Sequence, residues 1–345
     1  MTTDLQDRPV RKRATRKPPP VDRATAWAQD VAAGRVVAGP AVRNAAARHL
    51  RDLQDAPARG LQWDLTAAIE AAAFFEEVLH LNGGDYEGLP FRLLGWQAFI
   101  VGSLYGWKRA DGTRRFRVAY VETGKGSGKS PLAAGIGMHA LTADGEARAE
   151  IYAAATKRDQ AMVLFRDAVI MYQQSPELCR RLVPSGRHER IWNLGYIATG
   201  SFFRPISADD GQSGPRPHVA LVDELHEHAT NHVIEMLRAG FKSRRQPLMF
   251  AITNSGHDKT SPCGQYHDYA QQVAAGTDEG QLHQAHATAA RLGAEVVAIL
   301  DKSAPAATGI SPSAPFSIAL CAKRSLMTSC NTMPPQLCTA SFSST

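Results

Sequence analysis

Three things are missing from this sequence: a cysteine pairing pattern, an apolar run long enough for a membrane, and any acidic residue over its final stretch. The five cysteines, at 179, 263, 321, 330 and 338, contain no Cys-x-x-Cys pair. That argues against a zinc site or a disulfide framework and for reduced thiols. Apolar stretches such as 98–105 fall short of the roughly 20 residues a membrane helix needs. The N-terminus shows no apolar segment of the signal-peptide kind, so a cytoplasmic protein with no membrane partner is the expectation. After Asp301 there is no Asp or Glu, while Ser, Thr, Ala and Pro accumulate. Folded α/β domains need acidic surface and helix caps, so 280–345 is expected to be a low-order tail. A reading frame shifted near residue 280 would produce the same abrupt change; resequencing the coding region tests that hypothesis, and an intact frame would sink it.

What remains is ordinary globular material. The chain has 345 residues, 44% of them hydrophobic, enough for a sizeable core. A net charge of +6 permits a polyanionic partner without requiring one. Part of it lies in 8–17, which runs into Pro18-Pro19-Pro20 and reads as a basic, disordered leader over 1–25, with nucleic-acid attraction as the alternative.

Periodicity then divides the chain. Residues 41–56 and 64–81 read as helices, the second stopped by Gly83-Gly84. Neither can bury its apolar stripe alone, so 26–90 is expected to be a helical segment packed on a larger body over 91–279. From Phe116 short apolar runs alternate with amphipathic helices. Strands are predicted over 115–122, 150–154, 201–207, 219–223 and 248–253, with helices over 129–142, 159–174 and 230–241. This alternation predicts an α/β fold with a mostly parallel sheet covered on both faces, and ligands at the carboxyl ends of the strands.

Two segments at such strand ends carry chemistry. In Glu122-Thr123-Gly124-Lys125-Gly126-Ser127-Gly128-Lys129-Ser130, glycines free the backbone to wrap phosphates, Lys129 supplies a point charge and the Ser130 hydroxyl a Mg²⁺ ligand. A strict phosphate loop would have glycine at 123, where Thr123 stands. Lys125 adds a second cation, directed at a γ-phosphate. A glycine-rich surface turn with an accidental Lys-Ser is the plain alternative. The second segment, Val219–Glu224, is an apolar strand ending in two carboxylates. Asp223 suits Mg²⁺ and Glu224 suits activation of water, although such carboxylates also cap turns. Together the segments predict a chain that binds and hydrolyses ATP with Mg²⁺.

Other residues are weaker signals. Thr253-Asn254-Ser255-Gly256 is either a plain strand exit or a sensor of the γ-phosphate that couples its loss to the rest of the protein. Gln97 has the donor and acceptor to read an adenine edge, with Trp96 beside it as core. Arg244 and Arg245 fit surface charge, phosphate contact or an arginine finger equally well. His226, Glu227, His228 and His232 invite a zinc reading, but His-Glu-x-x-His would need histidine at 230, where Thr230 stands.

In order, these residues resemble the ATPase half of the tailed-phage terminase large subunit. The likeness runs from Trp27-Ala28-Gln29-Asp30-Val31 and Gly34 through 48–53, Pro90-Phe91-Arg92-Leu93, Trp96-Gln97 and Tyr105-Gly106-Trp107. It continues with the glycine loop, 156–161, 223–227 and 252–256. The resemblance implies a P-loop DNA-packaging motor acting in the bacterial host cytoplasm. Its partners would be viral double-stranded DNA, the portal protein of a procapsid, a terminase small subunit and copies of itself in a ring. It implies that Gln97 contacts adenine, that Lys129 and Ser130 serve phosphate and Mg²⁺, that Asp223 and Glu224 form the strand-end pair, and that 253–256 couples. The family's C-terminal nuclease needs clustered carboxylates, and none follow Asp301, so endonuclease activity is expected to be absent. Two other readings stay open: a helicase-like P-loop motor, and a truncated remnant that binds nucleotide without turnover.

Overall fold

The computed structural model describes residues 21–187, 190–207 and 214–275; the expected tail over 280–345 and almost all of the basic leader lie outside them. The described residues open with helix α1 (Arg23–Ala32), capped by the Asp22 side chain on the Thr25 N–H. Helix α2 (Pro40–Asp55) starts with proline at its first position, where no N–H is needed. Helix α3 (Leu65–Val78) is capped by Asp64. It ends before Gly83, because Leu79 turns extended and its carbonyl accepts from the Phe91 N–H. Helix α4 (Gly95–Gly106) was legible only as an apolar run. Ten of its residues are buried, so it shows no amphipathic stripe. A two-stranded antiparallel ribbon, β1 (Leu61–Trp63) with β2 (Trp107–Arg109), joins these helices.

The main sheet follows: β3 (Val118–Glu122), β4 (Glu150–Ala155), β5 (Val183–Ser185), β6 (Asn193–Tyr196), β7 (Ser201–Ser207), β8 (Val219–Val222) and β9 (Leu248–Thr253). Among the described residues its order is β3-β9-β8-β4-β7-β6-β5. The first five strands are mutually parallel, and β6 and β5 add antiparallel to one side. The expected mostly parallel α/β sheet is therefore present, with an antiparallel edge that no periodicity announced. Strand β3 begins three residues later than predicted, because Arg115 N–H still bonds the Trp107 carbonyl.

Alternation along the buried strands places the core on both faces. Ala119, Val121, Ile151, Ala153, Leu221 and Ile252 join the cluster shared with α1–α4, α5 (Lys129–Thr142) and α6 (Arg158–Gln174). Their strand neighbours Tyr120, Tyr152, Val222 and Ala251 face α8 (His232–Gly240) and α9 (Pro262–Ala275) instead. A short helix α7 (Pro176–Arg181) links α6 to β5. The β8–α8 connection holds a 3-10 turn (Leu225–Glu227), so α8 starts at His232 rather than Thr230.

Candidate active site

Parallel strands β3, β8 and β9 deliver their carboxyl ends to one place. The glycine loop leaves β3 and enters α5, the strand–turn–helix context a phosphate cradle requires. Gly126 and Gly128 have φ of +80° and +87°, left-handed backbone that glycine takes without strain. Thr123 takes no such conformation: its N–H bonds the Thr253 carbonyl at 3.0 Å and prolongs the β3–β9 ladder. The backbone at 123 therefore does not call for glycine. Lys125 and Gly126 are exposed, Gly124, Ser127 and Ser130 half-buried, and Ser127 Oγ has no hydrogen-bond partner among the described residues.

Lys129 lies only 5% exposed at the start of α5. Its Nζ is 3.3 Å from Glu224 Oε1 and 3.3 Å from Asn254 Oδ1. Asn254 Nδ2 in turn donates to Glu224 Oε2 at 3.3 Å. Lys129 from the start of α5, Glu224 from the end of β8 and Asn254 from the end of β9 thus close a triangle. Glu224 reaches it from a left-handed backbone, φ +44° and ψ +54°, which costs a non-glycine residue about 1 kcal/mol. His226 holds the same carboxylate, with Nδ1 at 3.3 Å from Oε2.

Asp223 ends the buried β8 and accepts from the Glu224 N–H at 2.9 Å. Burial first, and then the like charge of Glu224, push its carboxyl up to about 7. Thr253 is fully buried; its hydroxyl receives the His226 N–H at 3.0 Å and donates to the Asn254 carbonyl at 2.7 Å. Ser255 Oγ turns to Glu122 Oε1, and a side chain on Gly256 would meet the Cys263 sulfur. Gln97 is buried on α4: Oε1 accepts from the Leu94 N–H at 2.9 Å, and Nε2 points at the Gly128 carbonyl at 3.5 Å. Its carbonyl caps its own helix, while its amide end touches the end of the glycine loop.

Arg244 and Arg245 lie before β9, at the opposite end of that strand from the loop. Arg244 donates to the Arg216 and Arg148 carbonyls and pairs with Glu146 and Glu150; Arg245 donates to the Asp111 carbonyl. Among the described residues no group of three or more His, Cys, Asp or Glu is placed to hold a metal. Two residues that sequence reasoning passed over or misread now matter. His226, weighed only as a metal ligand, bridges Glu224 and Thr253. Glu122, read only as the last strand residue, anchors Ser255; its signal was a carboxylate in an otherwise apolar strand.

The model of the terminase large subunit ATPase domain matches residues 95–272, more than half of the chain. The chain belongs to the terminase large subunit family. The large terminase of bacteriophage HK97 shares its fold, with a TM-score of 0.51 and 19% identity over 71% of this chain and 45% of that one. The ATPase domain of the Thermus phage P74-26 large terminase aligns at a TM-score of 0.35 and 19% identity, over 41% of this chain and 60% of that one. Protein YmfN of Escherichia coli (strain K12) is 50% identical over 50 residues, 14% of this chain and 11% of that protein. The terminase chain thus spans under half the length of HK97 large terminase. Among its described residues no helix is long and apolar enough to cross a membrane.

Proposed function

We propose that this terminase chain hydrolyses ATP to drive viral double-stranded DNA into a procapsid. The observation that carries the reading is the meeting of Lys129, Glu224 and Asn254 at the ends of the loop, β8 and β9. An amine suited to phosphate, a carboxylate suited to water and an amide between them are what phosphoryl transfer to water asks of a protein. In this proposal the loop 123–130 cradles the phosphates and Gln97 meets the adenine with its amide end.

The donor set also fits Mg²⁺. Ser130 and Asp223 offer hard oxygens, and two protein ligands with the rest from phosphate and water is this ion's habit. Asp223, raised by burial and then by the Glu224 charge, would gain a compensating positive charge from such an ion. When bound, Mg²⁺ neutralises charge developing on the phosphate oxygens. The chain's own residues do the rest. Phosphate draws Lys129 away from Glu224, which frees that carboxylate to orient a water and accept its proton. Asn254 touches both groups, so segment 253–256 registers the exchange.

The wider proposal places the ATPase domain at 91–279, with 26–90 packed on it. Copies would form a ring at the portal protein in the bacterial cytoplasm, with a small subunit selecting the DNA. Contact with DNA would be mainly to phosphate and weaken steeply with salt. No nuclease residue is assigned; Mg²⁺- or Mn²⁺-dependent nicking of plasmid would reveal a cutter. The deciding experiment is ATPase activity of the wild type beside Glu224→Gln. The variant should lose on the order of a hundred- to ten-thousandfold in kcat. If both are equally inactive while ATP still binds, the motor reading fails.

A further inference from the structure

Glu122 is a carboxylate at the end of an apolar strand, 2% exposed. Three side chains converge on it. Ser255 donates to Oε1, while Tyr120 OH at 2.8 Å and His267 Nδ1 at 2.7 Å share Oε2. Gln271 Nε2 lies 2.7 Å from the other ring nitrogen of His267. An amide donating there leaves the His267 proton on Nδ1, facing Glu122. None of these donors is Lys or Arg, so the buried carboxyl rests on hydrogen bonds from a serine, a tyrosine and a histidine, an arrangement intolerant of a lost member.

The position of this cluster gives it meaning. Glu122 immediately precedes Thr123, the first residue of the phosphate loop, and stands in register with Thr253. Ser255 belongs to the segment that carries Asn254. His267 lies in the middle of α9, whose Cys263 contacts the Tyr120 hydroxyl at 3.6 Å. Tyr266, one residue before His267, stacks on Tyr120 and accepts a hydrogen bond from Arg238 of α8 at 2.8 Å. Burial and the Glu122 charge push the Tyr120 hydroxyl far up, so it stays a donor at any ordinary pH.

We infer that Glu122 is a positioning residue, a clasp that fastens α9 and Ser255 to the root of the phosphate loop and carries nucleotide-dependent change to α9. The inference rests on the nucleotide reading of the loop. Glu122 itself need not touch nucleotide: its carboxylate is filled by Ser255, Tyr120 and His267. Removing it should leave nucleotide affinity nearly intact while α9 ceases to follow the loop. A residue that merely stabilised the fold would change both liganded forms alike.

The test is hydrogen exchange over residues 262–275 of the full chain, with Mg²⁺ and either ADP or a non-hydrolysable ATP analogue. Wild type should show about a tenfold difference in α9 exchange between the two nucleotides, reflecting different local opening free energies. In Glu122→Gln and in His267→Phe the difference should fall below about twofold, with both affinities within about threefold of wild type. His267→Phe carries the comparison alone should Glu122→Gln not fold. An undiminished contrast in the variants overturns the inference, as does a wild type that binds both nucleotides without any contrast. A wild type that binds neither overturns the nucleotide reading itself, and the inference with it.

Discussion

The two ends of the parallel sheet both bury charge, and they do so with different chemistry. At the amino ends of the strands, Arg114 is 2% exposed, bonds Asp144 and lies over the Tyr105 ring; His218 Nε2 meets the same Asp144 oxygen at 2.6 Å. Next to it Arg115, fully buried, reaches Asp52 of α2 at 2.7 Å. Burial would raise the Asp144 carboxyl, but Arg114 and His218 outweigh it and hold it well below the usual range. At the carboxyl ends stand Lys129, Asp223 and Glu224, and there Asp223 is pushed up to about 7. Guanidinium groups cannot shed their proton, so Arg114 and Arg115 at this lower end keep their charge at any ordinary pH. Carboxylates and an amine can be re-partnered, so the upper end can answer a ligand. On the proposed function, one sheet separates charge that holds from charge that acts.

That separation can be broken experimentally. The largest effect on stability is expected at the lower end. Asp144→Ala leaves Arg114 buried and unpaired and should cost about 3–5 kcal/mol in denaturant unfolding. A loss below about 1 kcal/mol would show that the Arg114–Asp144 pair holds little.

At the upper end the sign reverses. Folded Asp223 keeps its proton up to about pH 7, whereas the unfolded chain releases it near 4. Stability linked to this group is present below that lower value and drains away as pH rises through 7. Asp223→Asn removes the penalty and should raise stability at pH 8 by about 1–4 kcal/mol, with no gain at pH 4. Equal unfolding midpoints for the two proteins at pH 8 would contradict the raised carboxyl.

The smallest effect concerns Gln97. Glu at this position keeps the acceptor that caps α4 but loses the amide donor beside Gly128. Position 97 is 3% exposed, and a carboxylate there faces the Gly128 carbonyl, so stability at neutral pH should fall by about 1–3 kcal/mol. Preference for ATP over GTP should drop by about tenfold, the worth of one specific hydrogen bond. An unchanged preference would remove Gln97 from base recognition and leave it a helix cap.

Much of this was legible in the sequence, for identifiable reasons. Strands 201–207 and 248–253 and helix 129–142 were read at their observed bounds, because turn residues or a charged segment flank each run. The glycine loop and the Asp223-Glu224 pair stood out because the phosphate and Mg²⁺ chemistry proposed for them restricts residue types at fixed spacing. Helix α4 was not visible as a helix, since burial on every side erases periodicity. The antiparallel β5 and β6 are short and their pairing depends on β7, which no local pattern encodes. Arg244 and Arg245 could not be ranked because a guanidinium looks alike in sequence whether it faces phosphate or backbone carbonyls. The clasp at Glu122 was hidden for another reason: its donors come from residues 255 and 267, far along the chain.

The left-handed backbone at Glu224 has a consequence for how such a protein changes over generations. Glycine would sit there without strain, and asparagine at 223 would escape the repulsion. Both replacements are expected to make a sturdier protein and a poorer catalyst. A population selected only for persistence would drift toward silence at these two neighbouring positions. On the proposed function, the strained glutamate beside a protonated aspartate is what selection for activity, rather than for persistence, would keep.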